Sequence, residues 1–238
     1  MLVLLYEKVP ALGIWTLKGH DTLYHFVIAE QIIYVPCAAA LIWSFECMYL
    51  GFCVEIIVQF KILYQYLEEM TVEGNSPDEM ELNYLEKMKA CIRHHQLLLW
   101  FLKKFRQIFS LLLLTEYVTV GPLICAELFA AFESRSIQIT IRHTAYFVTL
   151  ALQLSFYCIP ANYVADEALA VARSIYSSKW YSHHFPSLRV PILLIMQNAQ
   201  HGITIRAGGL VPINTDTFVN VLKVAWSACS IARGLRQN

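Results

Sequence analysis

The sequence predicts an all-α fold, a polytopic membrane helical bundle, and three observations carry that prediction. Hydrophobic residues make up 57% of the 238 positions and charged ones 15%, with a mean hydropathy of +0.49. A soluble domain carries about a quarter charged residues and under half apolar ones. Next, four segments have the length to cross a bilayer at ~1.5 Å per residue. Finally, the polar residues of the last segment recur at helical spacing, so they share one face. Net charge is zero, which gives a nucleic-acid partner no electrostatic support.

In chain order, Met1 opens onto LVLLYEKVP, whose apolar run stops at Glu7 and Lys8. That run is shorter than a signal peptide's apolar core, and no small-residue cleavage site follows. The expectation is a chain that starts partway through a span. Residues 32–54 form the first full span and continue as a helix to about residue 70. Residues 108–132 form the second, 144–165 the third and 214–235 the last. Only 144–165 lacks a charged residue; Glu46, and then Glu116 with Glu127, sit within the first two. Such carboxylates are expected to turn inward, toward protein or water. The cysteines, Cys37, Cys47, Cys53, Cys91, Cys125, Cys158 and Cys229, fall mostly in apolar runs and read as small buried hydrophobes.

Between the first two spans lie Lys61, Lys87, Lys89, Arg93, Lys103, Lys104 and Arg106, and between the last two Arg173, Lys179, Arg189 and Arg206. These eleven outnumber the six on the other side, Lys8, Lys18, Arg135, Arg142, Arg233 and Arg236. The excess of basic residues places the two long segments in the cytoplasm and the carboxy terminus outside. Within 81–106, Leu82, Leu85, Met88, Ile92 and Leu99 follow helical spacing, so the second membrane helix is expected to begin well below the bilayer. Gly74 to Asp78 is the turn before it. The apolar piece 190–196 is too short to span and is expected to join a cytoplasmic bundle. Gly208, Gly209 and Pro212 break the helix ahead of the last span. The domain organisation is therefore a membrane bundle over 1–165 with a cytoplasmic extension at 61–107, a cytoplasmic anchor segment over 166–206, and a terminal helix over 207–238.

That terminal helix is not a comfortable lipid-facing one. Asp216, Asn220, Lys223, Ser227 and Ser230 recur at steps of four, three, four and three. A mid-span lysine on a lone helix costs ~2.5–3.5 kcal/mol on the insertion scale, so this face should meet protein or water. Two readings stand at this point: a polar seam against a neighbouring helix, or the wall of a water-filled path.

Enzyme chemistry finds no support. His94-His95 and His183-His184 invite comparison with di-iron sites, but the further histidine needed two or three residues ahead of each pair is absent; Cys91, Ile92, Trp180 and Tyr181 stand there. No nucleophile elbow, P-loop, dinucleotide fingerprint or Cys-x-x-Cys motif occurs. No metal and no cofactor is expected. The outer parts of two spans differ: Tyr34, Cys37, Ile42 and Trp43 on the first, and Tyr146, Phe147, Thr149, Leu150 and Gln153 on the third. Aromatics with a few hydroxyls and one amide suit a small, mostly apolar ligand, and they also suit ordinary helix packing with an interfacial aromatic belt.

The residues together resemble the insect odorant receptors. Pro10, Trp15, Asp21, Tyr24 and Gln31 are similar to that family's second outer loop and entry to its fourth helix. Cys91-Ile92-x-His94-His95-Gln96 with Phe105 and Phe109 resembles the fifth, and Phe156-Tyr157-Cys158 the sixth. Most specific are Ser178-Lys179-Trp180-Tyr181, then Arg189, Leu193, Met196 and Ala199-Gln200, then Ala207-Gly208-Gly209, Pro212, Thr217-Phe218, Val221-Leu222-Lys223 and Ser227. Gly202 stands where a proline is frequent and Trp226 where a tyrosine is usual. Lys223 occupies the position at which the related gustatory receptors carry glutamine, which favours the odorant branch.

The resemblance implies a seven-transmembrane bundle with a cytoplasmic amino terminus, of which this chain holds the end of helix three and helices four to seven. It implies an odorant-specific subunit in the plasma membrane, truncated at its amino end, surrounded by membrane lipid and assembled as a heterotetramer with a co-receptor. A volatile small molecule would bind at Tyr34, Cys37, Ile42, Tyr146, Phe147, Leu150 and Gln153. It would gate a non-selective cation pore lined by Asn220, Lys223, Ser227, Ile231 and Leu235. Ile231 and Leu235 match the co-receptor's hydrophobic gate, while Arg233 and Gly234 depart from it. The alternatives are a gustatory-type channel, disfavoured at Lys223; a transporter, which predicts repeats that are absent; and a G-protein-coupled receptor, opposed by the basic-residue count.

Overall fold

The computed structural model describes residues 21–71, 75–134, 136–177, 187, 189–200 and 202–237, and among these are five α-helices and one small hairpin. The helices are α1 (Asp21–Glu69), α2 (Pro77–Glu133), α3 (Ile137–Ser177), α4 (Arg189–Gln200) and α5 (Thr215–Gln237). Strands β1 (Arg206–Ala207) and β2 (Val211–Pro212) pair antiparallel, with Arg206 opposite Pro212 and Ala207 opposite Val211. The chain divides into two compact units, Met1–Met48 and Tyr49–Asn238. In the first, the described part of α1 exposes Ile32, Ile33, Tyr34, Leu41 and Trp43, while Glu46 is buried.

Local chemistry sets the helix boundaries. Ser76 caps α2 by accepting the Glu79 N–H at 3.3 Å, and the Glu79 carboxylate accepts the Asn75 N–H at 3.1 Å. Pro77 follows at the first helical position, where its missing N–H costs nothing. Three helices run through an internal proline, Pro36, Pro122 and Pro160. Membrane helices tolerate this because neighbouring groups satisfy the freed carbonyls. Hydroxyls in the apolar stretches bond back to their own helix: Thr119 to Thr115 O at 2.7 Å, Thr149 to Ala145 O at 2.9 Å, Ser230 to Trp226 O at 2.9 Å.

The core of the second unit follows one rule. The buried seam on α1 is Tyr49, Cys53, Ile56, Phe60, Leu63 and Leu67; on α3 it is Leu154, Tyr157, Ala161, Val164, Ala168, Val171 and Ile175, with Cys158, Ala172 and Ser174 buried beside it. On α2 the run is Tyr84, Met88, Cys91, His95, Leu98, Leu102, Phe105, Phe109 and Leu113. All three advance by alternating steps of three and four, α2 as far as Phe109, the spacing of a coiled-coil seam. The pairings Tyr49–Phe109 and Phe60–His95 run α1 antiparallel to α2, and Tyr49–Tyr157 and Tyr64–Ser174 run it parallel to α3. At the widest layer, Tyr49 packs on Phe105, Phe109 and Tyr157 with ring centroids 5.1–5.5 Å apart, and its hydroxyl donates to Tyr157 O at 3.1 Å.

The stripe expected on 81–106 is therefore rotated. Met88 is buried, but Leu82 is exposed and Leu85, Ile92 and Leu99 are only half-buried. The true seam includes Tyr84, Cys91 and His95, which a purely aliphatic count passes over. The segment 190–196 lies within α4, which buries Ile192, Ile195 and Ala199 at helical spacing. Among the described residues three helices, α1 to α3, are long and apolar enough to cross a membrane. Helix α5, at 23 residues, has the length at ~1.5 Å per residue but a more polar composition. The cysteines form no disulfide: Cys53, Cys91, Cys158 and Cys229 are buried, while Cys37 and Cys47 are exposed.

Candidate functional site: the polar seams and the terminal helix

The apolar seams carry a few polar pairs, and these fall where the sequence put carboxylates into spans. Glu116 of α2 accepts from Gln153 Nε2 of α3 at 3.1 Å. Three turns along the same face, Glu127 Oε2 lies 2.7 Å from His143 Nδ1. The register explains both: eleven residues forward on α2 correspond to ten residues back on α3, as an antiparallel pair requires. Both carboxylates therefore turn toward protein, as expected for charged groups in apolar helices. A single sequence shows the carboxylates but not their partners, because Gln153 and His143 become neighbours only through the register.

Of the residues named for a small ligand, Phe147 and Leu150 are half-buried against the core of the second unit. Tyr146 is exposed, and Gln153 is engaged with Glu116. Tyr34, Cys37 and Ile42 belong to the first unit and are exposed there. A cavity of about 660 Å³ lies elsewhere, between Tyr64 and Glu68 of α1 and Arg173, Ser174, Tyr176 and Ser177 of α3. Arg173 is twenty residues from Gln153, roughly 30 Å along the helix, so this cleft does not belong to those residues.

Helix α5 is two-faced. Thr217, Val221, Ala225 and Cys229 are buried, stepping by four. Asp216, Asn220, Lys223, Ser227 and Ser230 are all exposed, as is Ile231. The polar stripe is not a seam against this chain's own described helices. The side chain of Leu235 lies outside the described residues, as do those of Trp180, Tyr181, His183 and His184. At its far end α5 is held to α2 by aromatics: Trp226 meets Phe132 edge-on with centroids 5.7 Å apart, and the Arg233 guanidinium sits 5.3 Å over the Phe132 ring. At its near end Asn214 caps it, Oδ1 accepting the Thr217 N–H at 2.9 Å.

Toward the Glu69 end of α1, at positions the basic-residue count places outside the bilayer, His94 Nε2 lies 3.1 Å from Gln59 Oε1. His95 is buried edge-on to Phe60, and its Nε2 has no hydrogen-bond partner among the described residues. Burial, with the neighbouring His94 adding to it, pulls the His95 pKa from 6.5 down to about 4. Burial pushes the Cys91 thiol up to about 11. No group of three or more potential metal ligands occurs among the described residues.

Long apolar helices, heptad-spaced cores and carboxylates hydrogen-bonded across helix seams define a multi-pass helical membrane protein. Comparison with known proteins makes this specific. Residues 5–226 match the family model described as 7tm Odorant receptor. Odorant receptor Or2 of Anopheles gambiae is 24% identical over 229 residues, covering 92% of this chain and 59% of that protein. Odorant receptor 22a of Drosophila melanogaster is 20% identical over 219 residues, covering 88% of this chain and 54% of that one. The solved insect olfactory receptor OR5 from Machilis hrabei, in complex with eugenol, superposes with a TM-score of 0.68 at 16% identity, covering all of this chain and 60% of that one. The chain belongs to the insect odorant receptor family, a family of receptors rather than enzymes. It spans between half and two thirds of the length of these curated relatives.

Proposed function

We propose that this chain is part of an odorant-specific subunit of a ligand-gated, non-selective cation channel, which opens in a heteromeric complex with the odorant receptor co-receptor. The observation that carries the reading is the division of α5. One face, Thr217, Val221, Ala225 and Cys229, is buried in the bundle, while Asn220, Lys223 and Ser227 face away from every described helix of the chain. A hydrophilic stripe on a helix of membrane-crossing length needs water or protein beside it. A central aqueous path bounded by several copies of α5 supplies both. Ile231 and Leu235 continue as the hydrophobic constriction at the outer mouth, where dewetting closes the path.

The ligand is a small volatile organic molecule. It contacts α3 at Tyr146, Phe147, Leu150 and Gln153, and Tyr34, Cys37 and Ile42 offer the same mix of aromatic, aliphatic and weakly polar surface on α1. The closed and open arrangements bind it with different affinity, and that difference is the whole of its power to open the pore. The amino terminus of the full-length receptor lies in the cytoplasm and the carboxy terminus outside, as the distribution of basic residues supports.

The test is electrical. Expressed at the full length of its relatives together with a co-receptor, the receptor should give an inward cation current to some member of a panel of volatile esters, alcohols, ketones and phenols. Lys223→Asp should raise the permeability of divalent over monovalent cations, since it exchanges a positive for a negative charge beside the path. Unchanged selectivity in a current-carrying Lys223→Asp complex would remove the stripe from the pore wall.

A further inference from the structure

The segment joining α4 to α5 is not a slack linker. Ile205, Ala207 and Ile213 are buried, and the Ile213 N–H donates to Ile205 O at 2.8 Å, closing the base of the hairpin. Its turn docks on α2. The Gly208 N–H donates to Ser110 O at 2.9 Å, and the Ser110 hydroxyl donates to Arg206 O at 3.3 Å. A carbonyl inside a helix already has the amide four residues on as its partner, so a second donor brings the hairpin backbone directly onto the helix surface. Gly208 permits this twice over. Its φ of +58° is in the left-handed region, and a Cβ there would lie 2.6 Å from Leu114 Cδ2.

The other strand is fixed to α5. The Thr217 hydroxyl donates to Pro212 O at 2.6 Å and lies 2.9 Å from Asn214 Oδ1. Along α2 in the other direction, Glu116 stands six residues from Ser110 and two from Leu114, and it accepts from Gln153 of α3. Gln153 is thus bonded to Glu116, the Ser110–Leu114 turn to the hairpin, and the hairpin to the first turn of α5, with the helical backbone of α2 joining Glu116 to that turn.

We infer that this hairpin is the coupler of the receptor: with Gly208 and Ser110 as positioning residues, it converts a displacement of α2 and α3 into a displacement of α5. The inference rests on the channel reading above and adds the route by which the ligand-binding helices reach the pore. A rigid body tied at both ends moves with both, whereas a flexible loop of the same length would absorb the motion. The competing route is direct packing of α5 on α2 through Trp226 and Phe132, which leaves the hairpin passive.

The experiment uses the full-length receptor with its co-receptor, and the most potent member of the volatile panel as probe. Gly208→Ala, Ser110→Ala, Leu114→Ala and the double variant Gly208→Ala/Leu114→Ala are compared for surface amount, ligand-free current, half-maximal concentration, ion selectivity and unitary conductance. Gly208→Ala should move the half-maximal concentration or the ligand-free current by roughly five-fold or more, the range of ordinary inter-site coupling. Adding Leu114→Ala should return at least half of that shift on a logarithmic scale, because it removes the atoms the new Cβ meets. Ser110→Ala should shift both readouts in the same direction by less. Selectivity and unitary conductance should stay fixed, since no pore-facing residue changes. A merely structural role would lower surface amount and maximal current together without moving the half-maximal concentration. That outcome, or variants at the surface with unaltered gating, overturns the coupling and leaves the channel reading standing. Failure of the unmodified receptor to pass current to any member of the panel removes the channel reading and the coupler with it.

Discussion

At the scale of single residues, the most consequential groups are polar ones in apolar company. His95 is buried with an unpartnered Nε2 and a pKa pulled from 6.5 to about 4. It is neutral in the fold, so the stability tied to that neutrality is complete above about pH 6.5. It is lost as pH falls toward 4, because there the unfolded chain takes up a proton that the folded one refuses. Thermal unfolding of the detergent-solubilised receptor should therefore show a falling midpoint between pH 7 and pH 5. His95→Met should flatten that fall at a cost below ~1.5 kcal/mol at neutral pH, since it conserves volume and removes an unsatisfied atom. An identical pH slope in the variant would assign the acid sensitivity elsewhere. Glu116 and Gln153 make a different case. Gln153→Leu alone removes a donor to Glu116 and should cost about 1–3 kcal/mol. Replacing both residues by aliphatic ones of similar size should recover most of it. A double-mutant cycle on unfolding midpoints reads the difference, and additive losses would mean that the pair is not coupled.

At the scale of elements, α5 depends on its start. Asn214 caps it through Oδ1, and a cap deletion costs ~1 kcal/mol, up to about 2. Asn214→Ala should speed deuterium exchange at the amides of residues 215–218 while leaving those of α2 unchanged; uniform exchange across both helices would deny the cap that role. The same element shows what periodicity can and cannot read. The stripe from Asp216 to Ser230 was legible because side-chain direction within one helix follows from spacing alone. The stripe on 81–106 was misplaced by a fraction of a turn, because His95, Cys91 and Tyr84 act there as core residues. Only the matching three-and-four steps of α1 and α3 reveal them as such. The hairpin was legible as a break, at Gly208, Gly209 and Pro212, but not as a docked element. Docking needs Ser110, which lies nearly a hundred residues earlier in the chain.

At the scale of the whole molecule, the question is which side of the bilayer each end occupies. The proposed orientation, with the carboxy terminus outside, rests on eleven basic residues against six. An epitope tag after Asn238 should bind antibody on intact cells. Binding only after permeabilisation would invert the topology, and with it the outward placement of Ile231 and Leu235. The positions of the three long apolar helices, and the extension of α1 to residue 69, were legible from composition and spacing, because the bilayer acts on each segment separately.

The sequence by itself determined that this is a multi-pass membrane protein, where its long apolar helices lie, which of their residues are hydrophilic, and the family to which they belong. All of these are properties of short stretches and their spacing. Only the tertiary structure decided that Glu116 meets Gln153, that Glu127 meets His143, and that Gly208 rests on Ser110. Each of those joins residues from different elements, and their meeting is fixed by the register of packed helices rather than by anything written locally in either one.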